Sequence, residues 1–332
     1  MKKSAIIGCG GIAQVHAKAL KNLSGVKLVA CGDIHFERAE KMAAEFSCTA
    51  YHSLEEMLAA EEIDVLHICT PHYLHTPMAQ LAEKLDIAVF TEKPPAITPE
   101  QWAEFSQVKV PMGICFQNRY NKSVQYVREL LTSGKAGKIL GARAFVTWSR
   151  GEGYYVDSGW RGSLTTEGGG VLINQSIHTM DLLVYLMGTP ISCEASCCNR
   201  HLKNVIEVED TLEAQIHFDR GVTALFYATT AYSMDSPVLL ELHCEHMVIK
   251  MEEERVLILH KDKTREELVF SQPEALGKSY WGNGHFTCIG DFYEHLEEKK
   301  AAPIGIPQVE DTVKLMLATY RSARETHREE RL

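Results

Sequence analysis

Long apolar runs are the first thing this chain lacks: nowhere in its 332 residues is there the ~20-residue apolar stretch that a membrane-spanning helix needs. A surplus of positive charge is also missing. Lys and Arg number 34 against 44 Asp and Glu, a formal net charge of −10, and no basic patch is concentrated enough to hold a nucleic-acid backbone. Cysteines are plentiful, ten in all, but metal-type pairing among them is not. Cys31, Cys69 and Cys115 fall inside apolar strand candidates and read as reduced core thiols. Cys193, Cys197 and Cys198 with His201 come nearest to a cluster. Adjacent cysteines on a strand point to opposite faces, so no metal site is expected there. Repeats and low-complexity linkers are absent, so the two domains expected at this length are joined without a flexible tether. Met1-Lys2-Lys3 leads into a glycine turn rather than a signal-type apolar segment, and a soluble, cytoplasmic protein is expected.

What is present is led by Gly8-Cys9-Gly10-Gly11-Ile12-Ala13. It follows the apolar strand candidate Ser4-Ala5-Ile6-Ile7 and opens a stretch with helical periodicity through Ile12, Val15, Ala19 and Leu23. Strand, glycine turn and helix in that order form a dinucleotide-binding pattern. The first glycine permits the tight turn, and the second lets the backbone approach a pyrophosphate held by unpaired N–H groups at the helix N-terminus. Ala13 meets the need for a small third residue. A second strand candidate, Val26 to Cys31, ends at Gly32-Asp33, where an acidic residue meets the adenosine ribose. The Asp33 carboxylate accepts hydrogen bonds from a free ribose diol and repels a 2′-phosphate. Ile34, His35 and Phe36 follow it in place of an arginine, so NAD is expected over NADP.

Further strand candidates, Ile63–Cys69, Ile87–Phe90 and Met112–Phe116, alternate with helical segments. Such alternation predicts an α/β fold with a doubly wound parallel Rossmann sheet and ligands at the carboxyl ends of its strands. Gly8, Asp33, Thr70, Lys93 and Gln117 all fall at such ends. After Phe116 the texture changes to strands of alternating character, predicting an α+β domain with an open, mostly antiparallel sheet and helices on one face. The expected division is 1–118 for the nucleotide domain, 119–310 for a substrate and oligomerisation domain, and 311–332 for a helix packing back on the first domain. An open sheet face that helices leave bare is normally buried, so a homodimer or homotetramer is expected.

Four segments in order carry a family resemblance. Gly8 to Ala13 is followed by Thr70-Pro71-His72-Tyr73-Leu74-His75, by Glu92-Lys93-Pro94, and by Gly168-Gly169-Gly170-Val171-Leu172-Ile173-Asn174-Gln175-Ser176-Ile177-His178-Thr179-Met180-Asp181. Together they resemble the glucose-fructose oxidoreductase, inositol dehydrogenase and rhizopine-catabolism family (Gfo/Idh/MocA) over essentially the whole chain. The resemblance implies NAD(P)-dependent hydride transfer at a carbinol of a sugar, inositol or related polyol. It assigns Lys93 and His178 to the active site, makes the Lys93-Pro94 bond cis, and places Ile12, Thr70, His75, Glu92 and Gln117 with the glycines and Asp33 on the cofactor side.

Oxidising a secondary alcohol requires loss of the hydroxyl proton as hydride leaves carbon, and a nearby cation can hold the charge that develops on oxygen. Lysine ordinarily lies solvated at the surface. Two prolines fix the backbone beyond Lys93 at the end of a buried strand, which suits it to this task, and burial beside an oxidised nicotinamide would lower its pKa. His178 is flanked by Ile177, Leu182 and Leu183, and without the resemblance it would read as a core histidine. Many family members carry aspartate four residues before this histidine, and here the position is Asn174. An amide orients an imidazole without stabilising its charged form, so Lys93 is expected to be the principal acid/base and His178 a hydrogen-bonding partner of the reacting oxygen.

Tyr154, Tyr155, Trp160 and Arg161, with Gln117, Asn118, Arg119 and Tyr120, offer aromatic faces and polar groups of the kind a polyhydroxylated ring uses; Asn174 and His178 join them, and His285 is a further candidate. Two other readings stay open: a glycosidase or epimerase that retains NAD and oxidises its substrate transiently, and a non-catalytic NAD-sensing regulator. Lys93 and the absence of a DNA-binding appendage speak against the regulator.

Overall fold

Residues 1–270 and 284–332 are described by a computed structural model of the chain. They form two compact units, one made of Met1–Gln117 and Gly284–Val309 and the other of the remaining described residues.

The first unit is built on six strands: β1 (Lys2–Ile7), β2 (Val26–Gly32), β3 (Thr49–Tyr51), β4 (Val65–Ile68), β5 (Ala88–Thr91) and β6 (Met112–Ile114). Every pairing is parallel, and the order is β3-β2-β1-β4-β5-β6. Parallel strands covered on both faces need apolar side chains on both, and all four residues of β4 and of β5 are buried. The chain runs outward from β1 in both directions, which puts the topological switch point between β1 and β4. Gly8 closes that junction at φ +87°, and a Cβ on it would stand 2.7 Å from the backbone carbonyl of Cys69, so only glycine fits. The helix Gly284–Glu297 packs against this sheet: Phe292 fills the space that a side chain on Gly113 would take. The Tyr293 hydroxyl meets Ser4 Oγ at 2.6 Å and His67 Nε2 at 2.9 Å.

The second unit holds β7 (Ile139–Thr147), β8 (Pro190–Cys198), β9 (Thr211–Phe218), β10 (Val222–Thr229), β11 (Leu239–Cys244), β12 (Met247–Glu252), β13 (Arg255–His260), β14 (Arg265–Val269) and β15 (Glu330–Arg331). Their order is β14-β13-β12-β11-β7-β10-β9-β8-β15, antiparallel except where β10 pairs with β7. Side chains alternate between the two faces as the pleat requires. Phe218, Phe226 and Ile216 are buried, whereas Leu140, Leu225 and Ile191 are at least half exposed.

One expectation is corrected. The chain beyond 310 belongs to the second unit, and the segment that returns to the first is Gly284–Val309. Thr312 Oγ1 donates to Asp181 at 2.8 Å, Ser322 Oγ accepts from the Ala195 N–H at 2.9 Å, and β15 extends the second sheet. An amphipathic pattern tells that a helix has a buried face. It does not tell which core receives it, and these polar partners lie far away in sequence.

Candidate active site

The predicted residues fall in both units, and each group is built by its own local structure. In the first unit, the helix Gly11–Asn22 begins at Gly10 with no side-chain cap and no acidic residue in its first turn, so its leading N–H groups keep their donor capacity for an anion. A Cβ added to Gly10 or Gly11 would meet nothing within 4 Å. That open cradle fits a pyrophosphate. Asp33, at the end of β2, is braced from two sides: Oδ2 accepts the Cys9 N–H of the glycine turn at 2.7 Å and Oδ1 the His35 N–H at 2.8 Å.

The Lys93–Pro94 peptide is cis, as the resemblance implies. Lys93 itself is half-buried, and its surroundings are held from below. His75 is fully buried, with Nδ1 2.7 Å from the Pro94 carbonyl and Nε2 2.9 Å from that of Thr70. The ring thus lies between the backbone just after the lysine and the loop that leaves β4. Burial lowers its pKa, so the ring is neutral and donates to one carbonyl at a time.

Beside Lys93, Glu92 Oε1 faces His16 Nε2 at 3.0 Å, and His16 Nδ1 faces His67 Nδ1 at 3.0 Å. Burial pushes the Glu92 carboxyl upward, but the bond to His16 and the charges of His16, His285 and Lys93 outweigh it and leave the group well below the usual carboxylate range. His16, which sequence reasoning missed, therefore ties the helix that opens at the cradle to the strand end that carries Lys93. Its signal was a polar residue on the buried face of an apolar helix. His285 is 3% exposed, and burial pushes its pKa down to about 4. His16, Glu92 and Cys115 bring potential ligand atoms within 4.8 Å of one another. Burial holds the Cys115 thiol well above its ordinary pKa, which opposes the thiolate a metal would need. Gln117 is buried and opens the single turn that follows β6.

In the second unit, Asn174 lies in a widened, π-type turn over Val171–Ser176, and His178 in the first turn of the helix Ile177–Met187 that follows. Both are half-buried. The turn is clamped by Glu209, whose Oε1 accepts the N–H groups of Gly170 at 3.0 Å and Leu172 at 3.2 Å and the hydroxyl of Tyr320 at 2.9 Å. Arg324 closes the node on Oε2 at 2.7 Å.

Glu167, immediately before the glycine run, is fully buried. Its Oε2 accepts the Gly162 N–H at 2.5 Å, and its Oε1 accepts from Asn174 Nδ2. Burial raises its pKa to about 7 against the opposing pull of Gly162, Asn174 and Arg161. Tyr154 completes the cluster: its hydroxyl meets Asn174 Nδ2 at 3.3 Å and Gln175 Nε2 at 3.1 Å, and the Arg161 guanidinium lies over its ring at 4.4 Å. Arg161 also covers Trp160 at 4.9 Å, and its Nε is buried with no hydrogen-bond partner among the described residues. Tyr155, by contrast, packs with Leu202, Ile206 and Val208 and belongs to the core. Arg119 is likewise structural, paired with Asp181 at 2.5 and 2.8 Å in the interior. Tyr120 ends the single turn Gln117–Tyr120. A cavity of about 430 Å³ in this unit is lined by Asn118, Asn121, Trp148, Thr179 and Asp235, among others. The buried Oδ1 atoms of Asn118 and Asn121 have no partner among the described residues.

Residues 2–119 match the profile of an oxidoreductase family with an NAD-binding Rossmann fold, and residues 124–250 match a GFO/IDH/MocA C-terminal domain. The D-glucoside 3-dehydrogenase of Escherichia coli K12 is 29% identical over 254 residues, 70% of each chain. The D-apiose dehydrogenase of Paraburkholderia graminis is 24% identical over 97% of this chain and 88% of its own. In fold, the chain matches the WlbA dehydrogenase of Bordetella pertussis, solved with NADH and UDP-GlcNAcA. The TM-score is 0.87 at 24% identity, covering 100% of this chain and 97% of the other.

Proposed function

The chain belongs to the Gfo/Idh/MocA family of oxidoreductases, and on that premise we propose that it transfers hydride between NAD and a secondary carbinol of a sugar, sugar derivative or inositol. The observation that carries the proposal is the joining of an open pyrophosphate cradle to a lysine-bearing strand end through the Glu92–His16 bond. Gly10, Gly11 and the leading N–H groups of the helix would hold the pyrophosphate, and Asp33 the adenosine ribose. NAD supplies the hydride acceptor. Lys93 takes the hydroxyl proton and holds the charge growing on oxygen. Glu92, kept anionic, and His75, kept neutral, fix the lysine's backbone so that its amine meets one geometry. His178 orients the reacting oxygen, and Tyr154, Trp160 and Arg161 supply faces and donors for a hydroxylated ring.

NAD is preferred over NADP because Asp33 presents a carboxylate where a 2′-phosphate would sit. The half-exposed Leu140, Leu225 and Ile191 on strands of the second sheet support a homodimer or homotetramer joined through that sheet. No helix of the described residues is long and apolar enough to cross a membrane, and the ten free cysteines fit the reducing conditions of the cytoplasm. The test is NADH formation across free sugars, glycosides, sugar phosphates, nucleotide sugars and inositols, with mass analysis of bound nucleotide. Turnover on one class with exchangeable cofactor supports the reading. Tightly retained NAD without net NADH formation would favour transient oxidation instead.

A further inference from the structure

We propose that Glu167 is a positioning residue of this site, a carboxylate that acts through Asn174 and sets which edge of that amide faces the His178 side of the turn. The proposal rests on the functional reading above. A carboxylate can only accept hydrogen bonds, so the atom of Asn174 that meets Glu167 Oε1 must be the Nδ2 donor. The second N–H of the same amide is directed at the Tyr154 hydroxyl, 3.3 Å away. With its nitrogen committed to that side, the amide turns its Oδ1 acceptor to the opposite edge. Asn174 and His178 are four residues apart along a helical segment, a spacing that puts both on one side of it. Oδ1 is thus the group that orients a donor there, whether the imidazole N–H or a substrate hydroxyl.

Glu167 is anchored for this task. Its other oxygen is fixed by the Gly162 N–H at 2.5 Å, and its side chain is 0% exposed, so it cannot swing away or be replaced by water. The carboxylate expected four residues before the histidine is therefore not lost from this chain. It has moved one hydrogen bond outward, to the residue before the glycine run, and an amide stands between it and the reacting side.

Protonation inverts the arrangement. Once Glu167 carries a proton on Oε1 that oxygen donates, Asn174 must answer with Oδ1, and Nδ2 turns to the His178 side. Burial places this change near pH 7. The charged and titratable groups facing Glu167 are Arg161, which favours its ionised form, Glu209, which opposes it, and the hydroxyls of Tyr154 and Tyr155. Turnover should accordingly fall as pH drops through about 7.

The test uses the full-length variants Glu167→Gln, Asn174→Asp and the double variant. In Glu167→Gln the new amide gives its oxygen to Gly162 and turns a donor on Asn174, so the Asn174 amide flips. Turnover falls about tenfold to a hundredfold, the loss of one oriented hydrogen bond, and the limb near pH 7 disappears. Adding Asn174→Asp supplies an acceptor opposite the amide introduced by Glu167→Gln and restores most of the turnover without restoring the limb. A Glu167→Gln enzyme that keeps normal turnover and the limb overturns the proposal, as does a folded double variant no better than the single one. Should Glu167→Gln fail to fold, Asn174→Asp alone decides the question: two facing carboxylates must move the limb to higher pH, and an unmoved limb refutes the role. NMR titration of the His178 ring separates this proposal from the functional reading, because it needs no substrate. The His178 resonance should show in the wild type a step near pH 7, beside the ring's own titration, that Glu167→Gln lacks. That response without turnover on any sugar sinks only the functional reading, and identical titrations in the two proteins sink the proposal.

Discussion

Two glycine-rich turns lie in this molecule, one in each unit, and they use the same residue for opposite ends. At Gly10 and Gly11 an added Cβ would find empty space, and at Gly169 and Gly170 it would fall 2.0 Å from the Tyr320 hydroxyl and 1.8 Å from the Glu209 carbonyl oxygen. The first pair leaves open space, which the proposed function gives to the cofactor's pyrophosphate. The second omits side chains so that protein can fill the room, which locks the turn bearing Asn174 against Glu209 and Tyr320. A GG or GGG string in a sequence is therefore ambiguous until its neighbours are known, and the local order of strand, turn and helix decides only the first case.

The comparison can be broken in several places. The largest effect is expected at Lys93, where the proton transfer is assigned to the first unit. Lys93→Ala should lower turnover by about 10²–10⁴-fold while NAD affinity, measured by calorimetry, stays nearly intact. If His178→Ala proves more damaging, the acid/base role belongs to the second unit. Next, Gly170→Ala should cost at least about 3 kcal/mol by overpacking against backbone and lower the melting temperature by roughly 6–12 °C. A normal melting curve would show that this turn is not packed as tightly as its twin is open.

The units also carry opposite pH signs. His285, neutral in the fold with its pKa pushed down to about 4, binds fewer protons than in the unfolded chain, so its contribution is full above its ordinary value of 6.5 and is lost as pH falls toward 4. Glu167, pushed up to about 7 from 4.5, binds more protons when folded. Its contribution is greatest below pH 4.5 and is lost as pH rises to 7. Each spans up to on the order of 3 kcal/mol. Urea unfolding from pH 4 to 8 should show His285→Gln flattening the acid side and Glu167→Gln flattening the change from pH 4.5 to 7 in the opposite sense. The smallest effect is expected for Gly10→Ala. With φ −75° and open space around it, the fold should not notice the methyl group, while the NAD dissociation constant rises roughly tenfold, about 1.4 kcal/mol.

What the sequence made legible follows the range of the interactions. The turn at Gly8 to Ala13, Asp33 at its strand end and the parallel sheet were readable because each depends on neighbours within one strand–turn–helix unit. Asn174 stood out as a departure from the family pattern. The response to it did not, since Glu167 meets Asn174 across the glycine run and only burial shows that the two share one hydrogen bond. His16, Glu92 and His67 come from three separate elements, and no spacing rule joins them. The short strands β3, β14 and β15 escape notice because they have too few residues, or too many charges, to show alternation. The final helix packs in a core that its pattern does not name, because amphipathicity carries no address.

The first unit is closed by chain that is made late. Ser4 is bonded to Tyr293, and Ile114 takes its backbone partner from Ile304, so residues 118–283 must be synthesised before either contact can form. At 5–20 residues per second that interval lasts roughly 10–30 s, during which the sheet waits with the flank around Phe90 and Gly113 bare. During translation the N-terminal sheet, although made first, therefore stays unfinished until most of the second unit has been made, and it is the surface a chaperone would have to cover in the meantime.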